Sequence, residues 1–539
     1  MTKKMLRNLI IAGVSLVLVV GLVLLIIFLP KGEEENTVTT QAVFEPDPGT
    51  PLDVFVNEDG LNCAQVVTDE NGELENNSYG TLIKRPPADI NKIVVKSEGG
   101  NYTLLLYTPV SESGETSETI FALEGYEDLP LAATNPSLVA SAVCNVNFSK
   151  VADISGDNAG DYGFDSPRAE ATVYYNDGTR SIVRLGDNAP GSEYCYIQFG
   201  NNNTVYSAAY ADMEAMTYGV NDLISTAINE DLKTISDDSY DVITLGGSHL
   251  SEEVTITANT DECLDSLYVM TSHDMRPVSA VAGSKIEGSI KALAADSVLC
   301  VKPTAKDIET YSLKDPYATV STTYYYVSSK YDTEGNKISE DETKRTITLL
   351  ASNKDSEGYV NLMEKDGKII YRIAATSVPW ATVSMDSLRS EYVFTPKYNM
   401  LDSVVVKAGD KTLSFTMGTK EVTTTDAAGN NTTAMEITVS YGGKELSEGQ
   451  FYTFFQDIST MELEGDYTGE KAEDLMLSIT YRYKNGRAQD TIEFYESSDQ
   501  KALPKFSGEY LGYVYKSDVE ALINNAELLS QGKEISSIR

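Results

Sequence analysis

A run of 21 residues, Leu9 to Leu29, carries no charge and has Ser15 as its only strongly polar member. At about 1.5 Å per residue a helix of that length spans about 30 Å, the hydrocarbon thickness of a bilayer, so the chain is expected to cross a membrane once. Lys3, Lys4 and Arg7 precede the run and Glu33, Glu34 and Glu35 follow it. The positive-inside bias therefore puts the N-terminus in the cytoplasm and everything after Pro30 outside. A cleaved signal peptide also opens with basic residues, but its apolar stretch is normally about 7 to 15 residues and ends at a small-x-small site. Here the run ends Phe28-Leu29-Pro30-Lys31, and no cysteine follows it to accept a lipid. The expectation is a single-pass cell-membrane protein, with residues 1–8 as a cytoplasmic tail, 9–29 as the transmembrane helix and an extracellular bulk.

That bulk is strongly acidic. The chain's formal charge is −39, and the part beyond the run is more negative still because three basic residues lie before it. Such a field disfavours nucleic acid and anionic lipid, and suits solubility, divalent cations or a basic partner. Cys63, Cys144, Cys195, Cys263 and Cys300 form no C-x-x-C pair, and an odd number cannot all be bridged internally. About 500 exterior residues divide naturally into several domains that need no disulfides.

Residues 30–88 read as a stalk, with a Pro46, Pro48, Pro51 cluster and a turn-rich stretch from Asn71 to Gly80. Beyond it the sequence repeats on a large scale. The opening Ile90 to Lys96, leading to Tyr102–Tyr107, has a counterpart in Leu401 to Lys407, leading to Leu413–Phe415, and a less similar one in Tyr240 to Leu245, leading to Val254–Ile256. Each copy then offers a helix: Asn135-Pro136 as cap and first turn ahead of Leu138, Val139, Ala142, Val143 and Val146; Ser284 and Glu287 as a capping box ahead of Ile286, Ile290 and Leu293; Ser447 and Gln450 ahead of Phe451, Phe454, Phe455 and Ile458.

After the helix, Tyr162-Gly-Phe-Asp-Ser-Pro-Arg-Ala169 matches Tyr311-Ser-Leu-Lys-Asp-Pro-Tyr-Ala318, and both introduce a strand. In the first copy a hairpin follows, with Ala169, Ala171, Val173 and Tyr175 alternating up to Asp177-Gly178 and a return through Ile182, Val183 and Leu185. The third copy lacks the proline motif but keeps the hairpin, from Leu475, Leu477, Ile479 and Tyr481 through Asn485-Gly486 to Ile492 and Phe494. The second joins its strands by a longer loop, Tyr331 to Asp341. Closing hairpins fall at Tyr194–Ile197 with Val205-Tyr206, at Val360–Met363 with Ile369–Ile373, and at Tyr510–Tyr515.

The expected fold class is α+β: an N-terminal transmembrane helix, then three repeated β-rich domains over residues 89–235, 236–396 and 397–539, each an antiparallel sheet covered by a helix. Thirty-three tyrosines against one tryptophan suit half-buried strand faces.

The inventory for catalysis is poor. The two histidines, His249 and His273, sit in no metal-binding or triad arrangement. Asp153, Asp157, Asp161 and Asp165 recur every four residues, but Ser155-Gly156, Gly160 and Gly163 break any helix there, so a turn-rich loop is expected. Asp332-Thr-Glu334-Gly335-Asn336 places its glycine too early for an EF-hand and reads as a hairpin tip. Among 81 acidic residues a chance carboxylate pair is expected somewhere, so no such pair is diagnostic. There is no nucleophile elbow, phosphate loop or dinucleotide fingerprint. No catalytic, cofactor-binding or metal-binding residue is nominated, and no enzyme activity or cofactor is expected.

On the Tyr162-Gly-Phe-x-x-Pro-x-Ala169 motif, the strand Ala169–Val173, the Asp177-Gly178 turn, Leu185-Gly186-Asp187 and Val205-Tyr206, the chain resembles the family called domain of unknown function 4340 (DUF4340). The likeness is good in the first copy, weak in the second and faint in the third. It implies an N-terminal anchor and repeated β-rich units facing the exterior of a bacterial cell. It also implies a genetic neighbourhood of ABC-type transporter components related to the gliding-motility system. The functional expectation is a non-enzymatic accessory subunit whose helix docks to an ABC-type permease/ATPase complex. Gly13 and Gly21 offer small residues for that packing, though not as G-x-x-x-G. The alternative is a surface module gripping cell-wall glycan or peptide through tyrosines such as Tyr324, Tyr325 and Tyr326.

Overall fold

The computed structural model describes residues 52–74, 79–109, 118–191, 193–229, 239–272, 276–291, 293–331, 337–425, 431–467, 469, 474–497 and 500–538. The expected transmembrane helix at 9–29 lies outside these. Among the described residues no helix is long and apolar enough to cross a membrane.

Three large antiparallel sheets follow one another along the chain. The first carries strands Ile90–Ser97, Gly100–Tyr107 and Ile120–Leu123, then, after a helix at Asn135–Cys144, strands Ala169–Tyr175, Arg180–Asn188, Tyr194–Phe199 and Val205–Ala209. The second carries Ile243–Gly246, Val254–Ala258 and Tyr268–Met270, a helix at Ala280–Gly288, then Ala318–Tyr331, Lys337–Ala351, Tyr359–Glu364 and Ile369–Ala374. The third carries Leu401–Ala408, Lys411–Thr425 and Asn431–Tyr441, a helix at Glu448–Ser459, then Leu475–Tyr483, Asp490–Glu496, Lys501–Phe506 and Glu509–Tyr510. Numbered within each unit, the strand order is 3-2-1-4-5-6-7 in all three. The helix therefore connects an edge strand to the middle of the sheet, where strand 4 pairs antiparallel with strand 1.

Period-two burial drives this pairing. In Ala169–Tyr175 the inward residues Ala169, Ala171, Val173 and Tyr175 are buried while their neighbours are half-exposed, as alternation dictates for a sheet with one covered face. The helices cover that face. Val139, Ala140 and Val143 of the first are buried, as are Gly283 and Ile286 of the second and Phe451, Phe454, Phe455 and Ile458 of the third. At Gly283 any Cβ would collide with the Tyr268 ring, so glycine lets the second helix lie flat on its sheet.

The helix starts differ in part from expectation. Ser447 does cap the third helix, accepting from the Gln450 N–H. The first is flanked by Thr134, with Asn135 and Pro136 inside its first turn, and Val146 belongs to the following strand. The second is capped by Ser279, so Ser284 and Glu287 lie within it rather than opening it, and Ile290 and Leu293 lie beyond its end. The Ser-x-x-Glu pattern was a coincidence of composition. Glu287 instead accepts a hydrogen bond from the Tyr268 hydroxyl.

Part of the segment expected as a stalk is packed. Leu52–Val56 and Asn62–Val66 form a hairpin, and Gly80–Lys84 pairs with Asn145–Phe148. Cys63, Ala64 and Leu82 are buried. The longer loop expected after Tyr331 is shorter than foreseen, since the returning strand begins at Lys337.

The proline motif has a physical role. In the first unit a short 3-10 turn, Ala159–Tyr162, ends at Gly163 with φ 88°. In the second, Ala305–Thr310 ends near Ser312 with φ 60°. The next residue's N–H reaches back five residues in each case, Phe164 to the Ala159 carbonyl and Leu313 to that of Ile308. A left-handed residue closing a helix in this way turns the chain sharply, and the proline four residues on favours an extended entry into strand 4. Gly186 supplies the matching surface, since a Cβ there would strike the Tyr162 carbonyl and the Phe164 ring. These two units also share an eighth strand, Lys150–Asp153 and Ser297–Val301, beside strand 7. Among the described residues the third unit has neither the motif nor that strand.

Candidate binding grooves at the unit junctions

Among the described residues, those weighed in the sequence lie apart from one another. His249 bonds the Tyr317 carbonyl at 2.9 Å through Nδ1, and its Nε2 is buried without a partner. Burial holds its pKa below the ordinary imidazole value, against the opposing effect of that hydrogen bond. His273 lies outside the described residues, as does the Asp332–Asn336 tip. Asp153 accepts from the Gly156 N–H at 2.9 Å, within a turn-rich loop that leads into the 3-10 turn. In the tyrosine row the first two side chains are held by the fold. Tyr324 is 2% exposed, and the Tyr325 hydroxyl donates to Asp241 at 3.1 Å. The side chain of Tyr326 is outside the description. Cys63, Cys144, Cys195 and Cys263 are buried free thiols and Cys300 is half-buried. Desolvation pushes the Cys144 thiol up to about 11 and Cys195 up to about 12, which makes both inert. Among the described residues no group of three or more His, Cys, Asp or Glu could hold a metal ion.

What the fold does build is a pair of junctions made to one plan. Each linker runs between the segment before the helix of the preceding unit and the segment after the helix of the next. At the first junction the Ala132 N–H donates to the Leu223 carbonyl at 2.8 Å, and the Ser225 N–H donates to that of Pro130 at 2.9 Å. The linker then meets unit two, the Ala295 N–H donating to the Thr226 carbonyl at 2.9 Å and Ile228 pairing with Leu293. At the second, Ser279 donates to Leu388 at 2.9 Å and Ser390 to Pro277 at 3.3 Å. The Leu463 N–H then donates to the Glu391 carbonyl at 2.7 Å and that of Val393 to Met461 at 2.9 Å. The register is the same, with Leu131 opposite Ile224 and Val278 opposite Arg389.

Each junction leaves a groove. The first, of about 660 Å³, lies between Asp128–Leu131 and Ala227–Asn229 on one side and Arg345, Glu364 and Lys368 on the other. Asp128 clamps two cations of unit two, Lys302 at 3.2 Å and Lys368. Their hydrogen bonds, that of Lys368 first, hold its carboxyl well down, at about 2. The second, of about 610 Å³, has an aromatic floor. The Tyr398 ring lies 4.9 Å from Tyr452 and 4.8 Å from Phe455, its hydroxyl donates to Glu448 at 3.0 Å, and Leu267, 58% exposed, lines the same groove. Burial, reinforced by Glu448, raises the Tyr398 phenol far above its usual range. Such a surface stacks on flat or apolar faces and hydrogen-bonds at its edges.

Residues 122–257 are a DUF4340 domain, a domain of unknown function. The chain matches no curated protein and no solved structure. The DUF4340 segment does not coincide with one sheet. It begins in strand 3 of unit one and ends in strand 2 of unit two, so it contains the whole first linker and one wall of the first groove. Sequence reasoning missed the junctions. Their shared signal, Leu-x-Ser after a short helix, is too brief to stand out without the fold.

Proposed function

We propose that the chain is a non-enzymatic, membrane-anchored exterior protein acting as an accessory subunit of an ABC-type transport or envelope machine. The observation that carries this reading is the DUF4340 domain lying within a series of repeated sheet units. The anchor-like run Leu9–Leu29 supports it from the sequence side. On this reading the anchor packs against a permease, and the units reach outward to a second exterior protein or to the exported substrate. The test is crosslinking in native membranes followed by capture of the full-length protein. Recovery of an ABC permease and ATPase, lost when Leu9–Leu29 is replaced by an unrelated membrane helix, supports the proposal. Recovery that is indifferent to the anchor removes the membrane contact from it.

A second reading, a module that grips cell-wall glycan or peptide, is favoured by the aromatic floor of the second groove rather than by the tyrosine row. Retention on isolated wall that falls when Tyr452 is changed to Ala supports it. Retention no greater than that of a charge-matched control sinks it.

A further inference from the structure

The two internal junctions define a docking edge, and unit three presents a third copy of that edge on which no described segment lies. In unit two the strand before the helix, Arg276–Val278, pairs with Tyr268–Met270, Tyr268 opposite Val278, Val269 opposite Pro277 and Met270 opposite Arg276. In unit three Lys444–Leu446 pairs with strand 3 in the same three-rung pattern, Val439 opposite Leu446, Ser440 opposite Glu445 and Tyr441 opposite Lys444. Ser447 caps the helix that follows, as Ser279 does. At the inner edges the outward carbonyls of Pro130 and Pro277 accept from the linker, and the outward N–H groups of Ala132 and Ser279 donate to it. By position the corresponding pair in unit three is the Glu445 carbonyl and the Ser447 N–H.

Local geometry agrees. Gly442 and Gly443, with φ 58° and 81°, make a two-residue turn of the tight hairpin kind. In such a hairpin the closing pair, Tyr441 and Lys444, exchanges its hydrogen bonds, so Glu445 turns its backbone groups away from strand 3. Lys444, Glu445 and Ser447 are exposed. Among the described residues no backbone group bonds the Glu445 carbonyl or the Ser447 N–H from the outer side. The chain after the last helix does not take the place either. It passes along the helix instead, the Ile535 N–H donating to Gln450 at 2.6 Å and that of Ile538 to Asp457 at 3.2 Å.

We propose that the outer edge of Lys444–Ser447 receives an extended segment of a partner protein by antiparallel strand addition, in the register of the two internal linkers. The segment supplies a backbone acceptor and, two residues on, a backbone donor, as Leu223 with Ser225 and Leu388 with Ser390 do. The partner also places an acidic side chain on Lys444 from outside that segment, because Arg276, at the equivalent position, is met across the second junction by Glu509, which lies in unit three's last sheet strand and not in the linker, at 2.6 Å. Main-chain bonds give such an edge its affinity and the flanking charge its selectivity. This inference stands on the junction geometry and does not depend on the transport reading.

The probe is a synthetic peptide copying Ser384–Tyr392, titrated into the full-length protein in detergent, with hydrogen exchange at the Ser447 amide as the local readout. Saturable binding with slowed exchange at Ser447 is expected. Ser447→Ala loses the cap but keeps the N–H, so binding should stay within about twofold; Ser447→Pro removes the N–H at a φ of −63° that proline accepts, and should weaken binding about tenfold. Glu445→Pro copies the inner edges and should bind as the unchanged protein does, which guards against a folding defect in the Ser447 variants. Absence of saturable binding, or equal binding by Ser447→Pro and Ser447→Ala, overturns the proposal. Self-association of the protein that Ser447→Pro abolishes also overturns it, by assigning the edge to a second copy.

Discussion

At the first junction Ile228 lies in an apolar cluster that runs from Ala64, in the hairpin packed on unit one, to Leu388 at the end of unit two. At the second, Val393 belongs to a separate cluster that, among the described residues, takes Cys263 and Leu264 from a loop of unit two and Val269 from its sheet, and otherwise fills the linker and unit three. The backbone plan of the two joins is the same, so the difference is one of side chains. Ion pairs cross both junctions, Asp128 with Lys302 and Lys368 at the first, but at the second no continuous apolar cluster accompanies them among the described residues. Arg276 meets Glu509, and Arg487 meets Asp261 at 2.6 Å while lying over the Tyr483 ring at 4.6 Å. Continuous apolar burial makes neighbouring units fold as one cooperative block, whereas a polar seam lets a unit open by itself. Units one and two should therefore melt together, and unit three should be separable.

The largest expected effect is at the polar seam. Arg487→Ala leaves Asp261 and Asp490, whose side chains are 17% and 13% exposed, without their shared cation. Breaking a buried pair from one side costs about 3–5 kcal/mol. Calorimetry should show an early transition confined to unit three, with exchange in Leu401–Tyr515 accelerated and that in Ile90–Ala374 unchanged. A single downward-shifted transition for the whole molecule would erase the contrast.

Next comes the apolar seam. Ile228→Ala removes a buried linker side chain and should cost about 2–5 kcal/mol, but here units one and two should lose stability together, with no separate melting of either. Val393→Ala, the corresponding change at the second junction, removes less volume and should cost less, with the loss confined to unit three.

Two smaller effects are pH-dependent. The His249 pKa is lowered in the folded protein by burial. Its contribution is therefore fully present above the unfolded value of about 6.5 and is lost as pH falls below it. His249→Gln should flatten the melting temperature of the first block below about pH 6.5. The Asp128 carboxyl, at about 2, behaves as a depressed acid: its contribution is present above an unfolded value of about 3.9 and is lost as pH falls toward 2. This exposed group should give a small effect, seen as a shallower acid limb of exchange in the first groove for Asp128→Asn.

Much of each unit was legible because it rests on local signals. Asp177-Gly178 and Asn485-Gly486 announced their hairpins, the alternation of Ala169 to Tyr175 gave the buried face, and Ser447 with Gln450 marked a helix start that the fold uses. Where local signals competed with tertiary contacts, the contacts prevailed. The second helix begins where the strand Arg276–Val278 ends, so Ser279 caps it and the stronger-looking Ser284 does not. Residues 30–88 read as a stalk from the Pro46, Pro48, Pro51 cluster and the turn-rich Asn71–Gly80 stretch, yet Cys63 and Ala64, between the two, are buried against unit one. The grooves were hidden for another reason. Tyr398, Tyr452 and Leu267 come from segments far apart in the chain, and only the shared linker brings them to one wall.

The linkers also carry a mechanical consequence. Each is hydrogen-bonded to the unit behind it and to the unit ahead of it. A tug on one unit is thus delivered to the next as tension across short antiparallel rungs, instead of being absorbed by a slack tether. Displacement at one end of the series arrives at the other with little lost to stretching, and the polar seam at Arg487 is where a strong enough pull would first give way.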